Sequence, residues 1–247
     1  MKKYLLSSGF LLLVILFSCS GMLMAKEKGI FKGIDRFGGD TDGKSMFMEG
    51  ENLEYFQGET YIRFARAEII ELDDGSREVN FIGTVFLQYE DLEVTGEKFQ
   101  YNTDRKNGVF TGNVVLEREE VLSAEGEIEK EGINLTCGSL FLDTDEKSFI
   151  ATEKPFIKHP DFQGNGEKIS YFDATERLTI SGGFYIEKEK EEIKGEEITF
   201  DLKAKTFEAK RGTEALEVAF EIEEEKNDGE IEQGNSGGEG KKAEDKR

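Results

Sequence analysis

Between Thr95 and Glu117 the chain alternates apolar and polar residues, breaks at a polar turn, and then alternates again. Phe99 and Tyr101 are interleaved with Lys98, Gln100 and Asn102, the run Thr103 to Asn107 is polar throughout, and Phe110, Val114 and Leu116 follow among Thr111, Asn113 and Glu117. A period of two belongs to a strand, whose successive side chains leave on opposite faces. The stretch therefore predicts strand, turn, strand, with Phe99, Tyr101, Phe110, Val114 and Leu116 on one face and the charged residues on the face that meets water.

The same pattern recurs. The hexapeptide from Gly96 to Tyr101 returns from Cys137, from Gly166 and from Gly195, at intervals of 41, 29 and 29 residues, and a weaker copy opens at Arg66. Each strong copy is followed by a polar turn and a second short strand holding Phe149, Ile180 or Phe207. Repeats at a fixed period decide an architecture before any single motif does. Upstream, Val79, Phe81, Val85, Leu87 and Tyr89 alternate around Gly83, which reads as a bulge. The 41-residue interval is explained by residues 119–132, an inserted strand pair or loop with few apolar residues, and Pro155 and Pro160 mark a sheet edge or corner.

An antiparallel sheet with one apolar face must bury it against another sheet or by curling on itself, which predicts an all-β sandwich, roll or solenoid. The continuous domain is expected over residues 61–222. Residues 19–60, glycine-rich and weakly periodic, read as a linker with an irregular first strand, and the single run Gly38 to Gly43 lacks the stacked copies a calcium-binding glycine-aspartate repeat needs. Residues 223–247 turn to Glu, Gly, Lys and Asn without periodicity and read as a disordered acidic tail.

At the start, Lys2 and Lys3 precede the apolar run Leu5 to Phe17, so residues 1–18 read as a signal peptide and the protein as exported to the periplasm. The segment Leu16-Phe17-Ser18-Cys19 resembles a lipoprotein processing site, which makes Cys19 a candidate for acylation and membrane anchoring; cleavage elsewhere nearby is the alternative. Cys137 is then the other cysteine of the chain, placed where the other strong copies carry glycine, and reads as a small packing residue.

Charge removes several functions. The 247 residues hold 53 acidic and 32 basic side chains, a formal net charge of −21, so no basic face exists to neutralise nucleic-acid phosphates. His159 is the one histidine, flanked by Lys158 and Pro160, and reads as a surface or edge residue; a histidine-based metal cluster is excluded by that count, and no metal or other cofactor is expected. Asp143, Asp145 and Glu146 read as turn formers. The chain is not expected to be an enzyme.

The pattern Gly-x-x-Φ-x-Tyr, polar turn, Phe-x-Gly-Asn-Val-x-Leu, where Φ is apolar, resembles the OstA-like family that includes LptA, LptC and the N-terminal part of LptD. It is carried by Gly96, Phe99, Tyr101, Phe110, Gly112, Asn113, Val114 and Leu116, and by a second copy at Gly166, Ile169, Tyr171, Leu178, Ile180 and Gly182. The resemblance implies a twisted antiparallel β-jelly roll, open along one side, whose apolar interior carries the acyl chains of lipopolysaccharide or a related glycolipid between inner and outer membranes. It also implies partners of the same family, joined edge to edge by strand pairing. The interior residues would be Phe81, Val85, Leu87, Phe99, Tyr101, Phe110, Val114, Leu116, Leu140, Leu142, Ile169, Tyr171, Leu178, Ile180, Phe184, Ile198, Phe200 and Phe207. The alternative is a non-catalytic structural or adhesive repeat protein with a simply packed core.

Overall fold

The computed structural model describes residues 28–213 and 215–220. Its strands are β1 (Ile30–Lys32), β2 (Arg36–Gly39), β3 (Ser45–Gln57), β4 (Thr60–Glu71), β5 (Arg77–Tyr89), β6 (Leu92–Asn102), β7 (Asn107–Arg118), β8 (Val121–Leu122) and β9 (Ile128–Lys130). They continue as β10 (Ile133–Asp143), β11 (Ser148–Thr152), β12 (Phe156–His159), β13 (Phe162–Asn165), β14 (Lys168–Phe172), β15 (Arg177–Lys188), β16 (Glu191–Asp201), β17 (Thr206–Lys210) and β18 (Glu217–Phe220). Sixteen strands pair antiparallel in one sheet, and β8 pairs with β9 in a separate hairpin. The fold is the all-β jelly roll.

The sheet becomes a roll because its long strands bend at mid-length. Pairing shifts register between Arg63 and Arg66, Ile82 and Val85, Thr95 and Lys98, Cys137 and Ser139, and Ser181 and Phe184. At the same points the inward alternation slips. In β6 the buried positions are Leu92, Val94 and Gly96, then Phe99 and Tyr101; in β10 they are Ile133, Leu135 and Cys137, then Leu140 and Leu142. The three-residue step of the repeated Gly-x-x-Φ motif is therefore the corner of the roll. A bulge supplies the bend and re-aims the side chains beyond it. Gly112, with φ of +82°, makes the corner of β7 in a conformation that glycine adopts without strain. Gly96 has a different job: a Cβ there would lie 3.0 Å from the Phe110 ring, so the small residue lets the neighbouring aromatic pass through the corner.

The corners divide the sheet into two walls. One wall contains β2, the halves of the long strands next to the turns at residues 72–76 and 103–106, and β11, β14 and β17. The other contains β1, the opposite halves, and β12, β13 and β18. Pro155 follows the corner at Glu153 and Lys154, where the chain passes from β11 in one wall to β12 in the other. The apolar inner faces of both walls meet in a single core.

The roll begins well before Tyr61. Within residues 19–60, expected as linker and irregular strand, β1, β2 and β3 belong to the main sheet, and Met48, Leu53 and Tyr55 lie in the core. The alternation was hidden because the corner of β3, Gly50-Glu51-Asn52, separates Met48 from Leu53 and leaves no long run on either side. The signal segment, Cys19 and the tail lie outside the described residues. Among the described residues no helix is long and apolar enough to cross a membrane.

Candidate functional site

Seventeen of the eighteen residues expected in the interior are buried on the inner faces, from Phe81 at 0% exposed to Phe200 at 7%. Phe207 differs. It stands directly opposite Phe200 in the register and its ring lies 5.8 Å away, so it shares the inner face, yet it is 45% exposed because, among the described residues, β17 is an edge strand with no neighbour beyond it. The expectation that Phe207 is enclosed is corrected accordingly.

The core also holds residues outside the expected interior set, including Tyr55, Phe64, Leu135, Phe149, Ile157 and Phe162. They organise the aromatic packing. Phe99 stacks on Phe110 at 4.0 Å and 12°, Phe64 meets Phe81 edge-on at 4.7 Å, and Phe31 tilts against Tyr55 at 4.7 Å. Farther along the roll Phe162 stacks on Phe200 at 3.9 Å and 5°. Cys137 is buried and its thiol is pushed up to about 11, chiefly by desolvation, so it is an inert packing group.

Each wall ends in a rim of turns, and the gap between the rims is the mouth of the roll. Toward the N-terminal strands it opens on a cavity of about 620 Å³ lined by Phe31, Tyr55, Ile69 and Val79 below and by Arg77, Asp104, Lys106 and Asp145 at the edge. Gln57 bridges the walls there: its Nε2 donates to the Thr103 carbonyl (3.1 Å) and its Oε1 accepts from the Tyr55 hydroxyl (2.9 Å). Burial disfavours the phenolates and pushes Tyr101 up to about 12, so these hydroxyls keep their protons.

Toward the C-terminal strands the mouth is crossed. Lys147 Nζ reaches both Glu90 oxygens, at 2.7 and 2.9 Å, from one rim to the other. Beyond it the inserted segment, residues 119–132 with the β8–β9 hairpin, lies against the opposite rim. Lys130 pairs with Asp173 (2.8 Å), and Glu131 pairs with Lys205 (2.7 Å). Arg118, 5% exposed, donates to the Tyr171 hydroxyl (2.9 Å) and to the Glu131 carbonyl (3.0 and 3.3 Å).

Residues 93–206, from β6 into β17, match the model of the family described as LptA/(LptD N-terminal domain) LPS transport protein. Over this span the chain is similar to that family. The matched span takes in both walls, the corners from Gly96 to Gly195 and the inserted segment. The LptA/(LptD N-terminal domain) family is one of transport proteins. The crystal structure of LptH, the LptA-homologous periplasmic component of the lipopolysaccharide transport device of Pseudomonas aeruginosa, is similar over 79% of this chain and 96% of that one, at 12% identity and a TM-score of 0.24. No curated protein matches the chain.

His159 is not on the surface. It belongs to β12, which is paired on both sides, and its side chain is 2% exposed and stacked on Phe162 at 4.8 Å. Glu131, His159 and Asp161 bring three potential metal-ligand atoms within 4.8 Å of one another, an arrangement the single histidine did not announce. The chemistry of the donors argues against an ion. The Asp161 backbone N–H donates to Nδ1 (3.2 Å), which leaves the ring proton on Nε2, the nitrogen that faces Glu131 at 3.0 Å. Glu131 already carries Lys205 as counter-charge.

Burial also holds the His159 pKa below its ordinary value, while Glu131 and Asp161 pull it up and Arg118 and Lys205 push it further down. The unfolded chain then takes up a proton near pH ~6.5 before the folded one does, so stability contributed by the neutral ring is present above that value and is lost as pH falls toward the folded pKa. The thermal midpoint should drop between about pH 7 and about pH 5, and His159→Gln should flatten that slope. An unchanged slope in the variant would show that the ring titrates freely.

Proposed function

We propose that the roll carries the acyl chains of lipopolysaccharide or a related glycolipid between the two membranes, with the inner faces of the walls as the binding surface. The observation that carries this reading is the continuous apolar lining, running the length of the roll and reaching the surface along one mouth. An alkyl chain gains about 0.8 kcal/mol per methylene buried in such surroundings and needs no reactive group. The match of residues 93–206 to a family of lipopolysaccharide transport proteins supports it. Export by residues 1–18 would place the roll in the periplasm, and an acylated Cys19 would tether it to a membrane.

Edge strands supply the contacts to partners. Among the described residues β2 pairs with β3 alone and β17 and β18 with β16 alone, and Phe37 and Phe220 are 62% and 63% exposed there. Free N–H and C=O groups on such strands template addition of another sheet, so like domains would join end to end.

A second reading is favoured by one specific observation: the inner side chains pack to near-zero exposure, as in a structural repeat protein with a filled core. For transport the walls must part, with the column of corners as the hinge. The two readings separate by face. A photoreactive side chain at Phe99 or Ile169 should crosslink to lipopolysaccharide in cells, and one at exposed Gln100 should not; adjacent strand residues differ only in the face they occupy. Silence at both positions in a folded protein would leave the structural reading.

A further inference from the structure

The inserted segment covers a cavity of about 300 Å³ on the C-terminal half of the mouth, and its charge differs from that of the molecule. Arg118, Lys130, Lys203 and Lys205 line it together with Glu129, Glu131 and Glu176, and Asp173 pairs with Lys130. Basic and acidic groups are thus at parity here, in a chain where they stand at 32 to 53. Apolar lining comes from the Tyr171 ring, Leu202 and the half-exposed Ile128, and Tyr171 continues into the core.

Arg118 is the decisive group. Its guanidinium is buried, yet among the described residues it forms an ion pair with no carboxylate; its partners are the Tyr171 hydroxyl and the Glu131 carbonyl, both neutral. It reaches Asp173 only through Tyr171, whose hydroxyl sits 3.0 Å from Asp173 Oδ1. A buried cation held by neutral acceptors is costly unless an anion completes it, and a guanidinium presents a planar fork of donors suited to phosphate or carboxylate.

We infer that this cavity is a subsite for the anionic head, phosphate or carboxylate, of an amphiphile whose chain lies in the roll. The inference rests on the transport reading above. In the closed mouth Asp173 and Glu131 act as internal stand-ins for that anion on Lys130 and Lys205. An incoming head displaces Asp173 from Lys130 and meets Arg118, so that the two cations share the head while Asp173, partly exposed and still held by the Tyr171 hydroxyl, turns to water. The same exchange unfastens the inserted segment from the opposite rim and opens the mouth above the chain. Asp173 and Glu131 are therefore competitors of the ligand.

The test uses the full mature chain and calorimetry with dodecyl phosphate, dodecyl maltoside and inorganic phosphate, the amphiphiles below their micelle concentrations. Dodecyl phosphate should bind about tenfold tighter than dodecyl maltoside, the scale of one charge-assisted contact, and Lys130→Gln should erase that preference. Asp173→Asn keeps the acceptor for Tyr171 while removing the competing charge, and should tighten dodecyl phosphate several-fold with dodecyl maltoside unchanged. A purely structural role predicts the opposite: the variant would weaken both ligands together. Equal binding of the two amphiphiles, or inorganic phosphate alone binding as tightly as dodecyl phosphate, would overturn the subsite and leave the interior reading standing. Binding of neither amphiphile would overturn the interior reading, and the subsite with it.

Discussion

Phe110→Ala is expected to cost about 3–5 kcal/mol of stability, the range for deleting a fully buried aromatic side chain from a core that relaxes only in part. Phe110 is 0% exposed, stands directly opposite Phe99 on β6 and Leu140 on β10, and stacks on the Phe99 ring at 4.0 Å. Its loss would remove the apolar transfer term and leave a hole at the corner beside Gly96. The stacked pair should add a coupling of about 0.5–1.5 kcal/mol, read from a double-mutant cycle with Phe99→Ala. Urea unfolding with unchanged m-value measures all three variants. A loss below about 1 kcal/mol would mean that the walls already yield at this point, which is the behaviour a lipid channel needs and a filled core lacks.

The second large effect is expected at Gly108, at the start of β7, where Gly108→Val should cost at least about 3 kcal/mol, beyond the usual range for overpacking. A Cβ at this position would run into the Gln100 carbonyl oxygen and lie 2.7 Å from the Phe99 ring and 2.9 Å from the Tyr101 Cα. Two of those three obstacles are backbone of the paired strand, so neither can turn aside as a side chain could. The β6–β7 ladder would have to separate just where Phe99 and Tyr101 are anchored. Thermal unfolding tests it: a midpoint within a few degrees of the wild type would show that the wall deforms there without opening.

Alternation was legible wherever a strand half ran for several residues without interruption, which is why Phe99, Tyr101, Ile169 and Phe200 were placed on the inner face from sequence. The corner was visible but unread. Gly-x-x-Φ is the one odd step in a period-two pattern, and its recurrence marks a change of direction as well as a repeat. The same step hid β3, because Met48 and Leu53 fall on opposite sides of a corner with only short runs beside them. Phe207 failed for another reason: register gives the face, but only the strand order shows that β17 has no further neighbour among the described residues. For His159 a signal existed, since Ile157 two residues earlier is inward and a strand returns to the same face at that spacing. The groups at the mouth had none. Arg118 and Tyr171 are 53 residues apart and meet because the roll brings two rims together.

The corner column also sets a length. Because every long strand crosses both walls, each wall contains twelve strands among the described residues, and one 29-residue repeat advances both walls by two strands at once. At about 4.8 Å between neighbouring strands, twelve strands reach roughly 50 Å and one repeat adds about 10 Å. Reach therefore comes in steps, and a gap between membranes is matched by adding whole repeats or whole copies of the roll. A partial repeat would bring the chain to the wrong rim and turn its apolar face outward. The twelve extra residues of the 41-residue interval leave that step intact, since they loop out at a rim and return to the same wall.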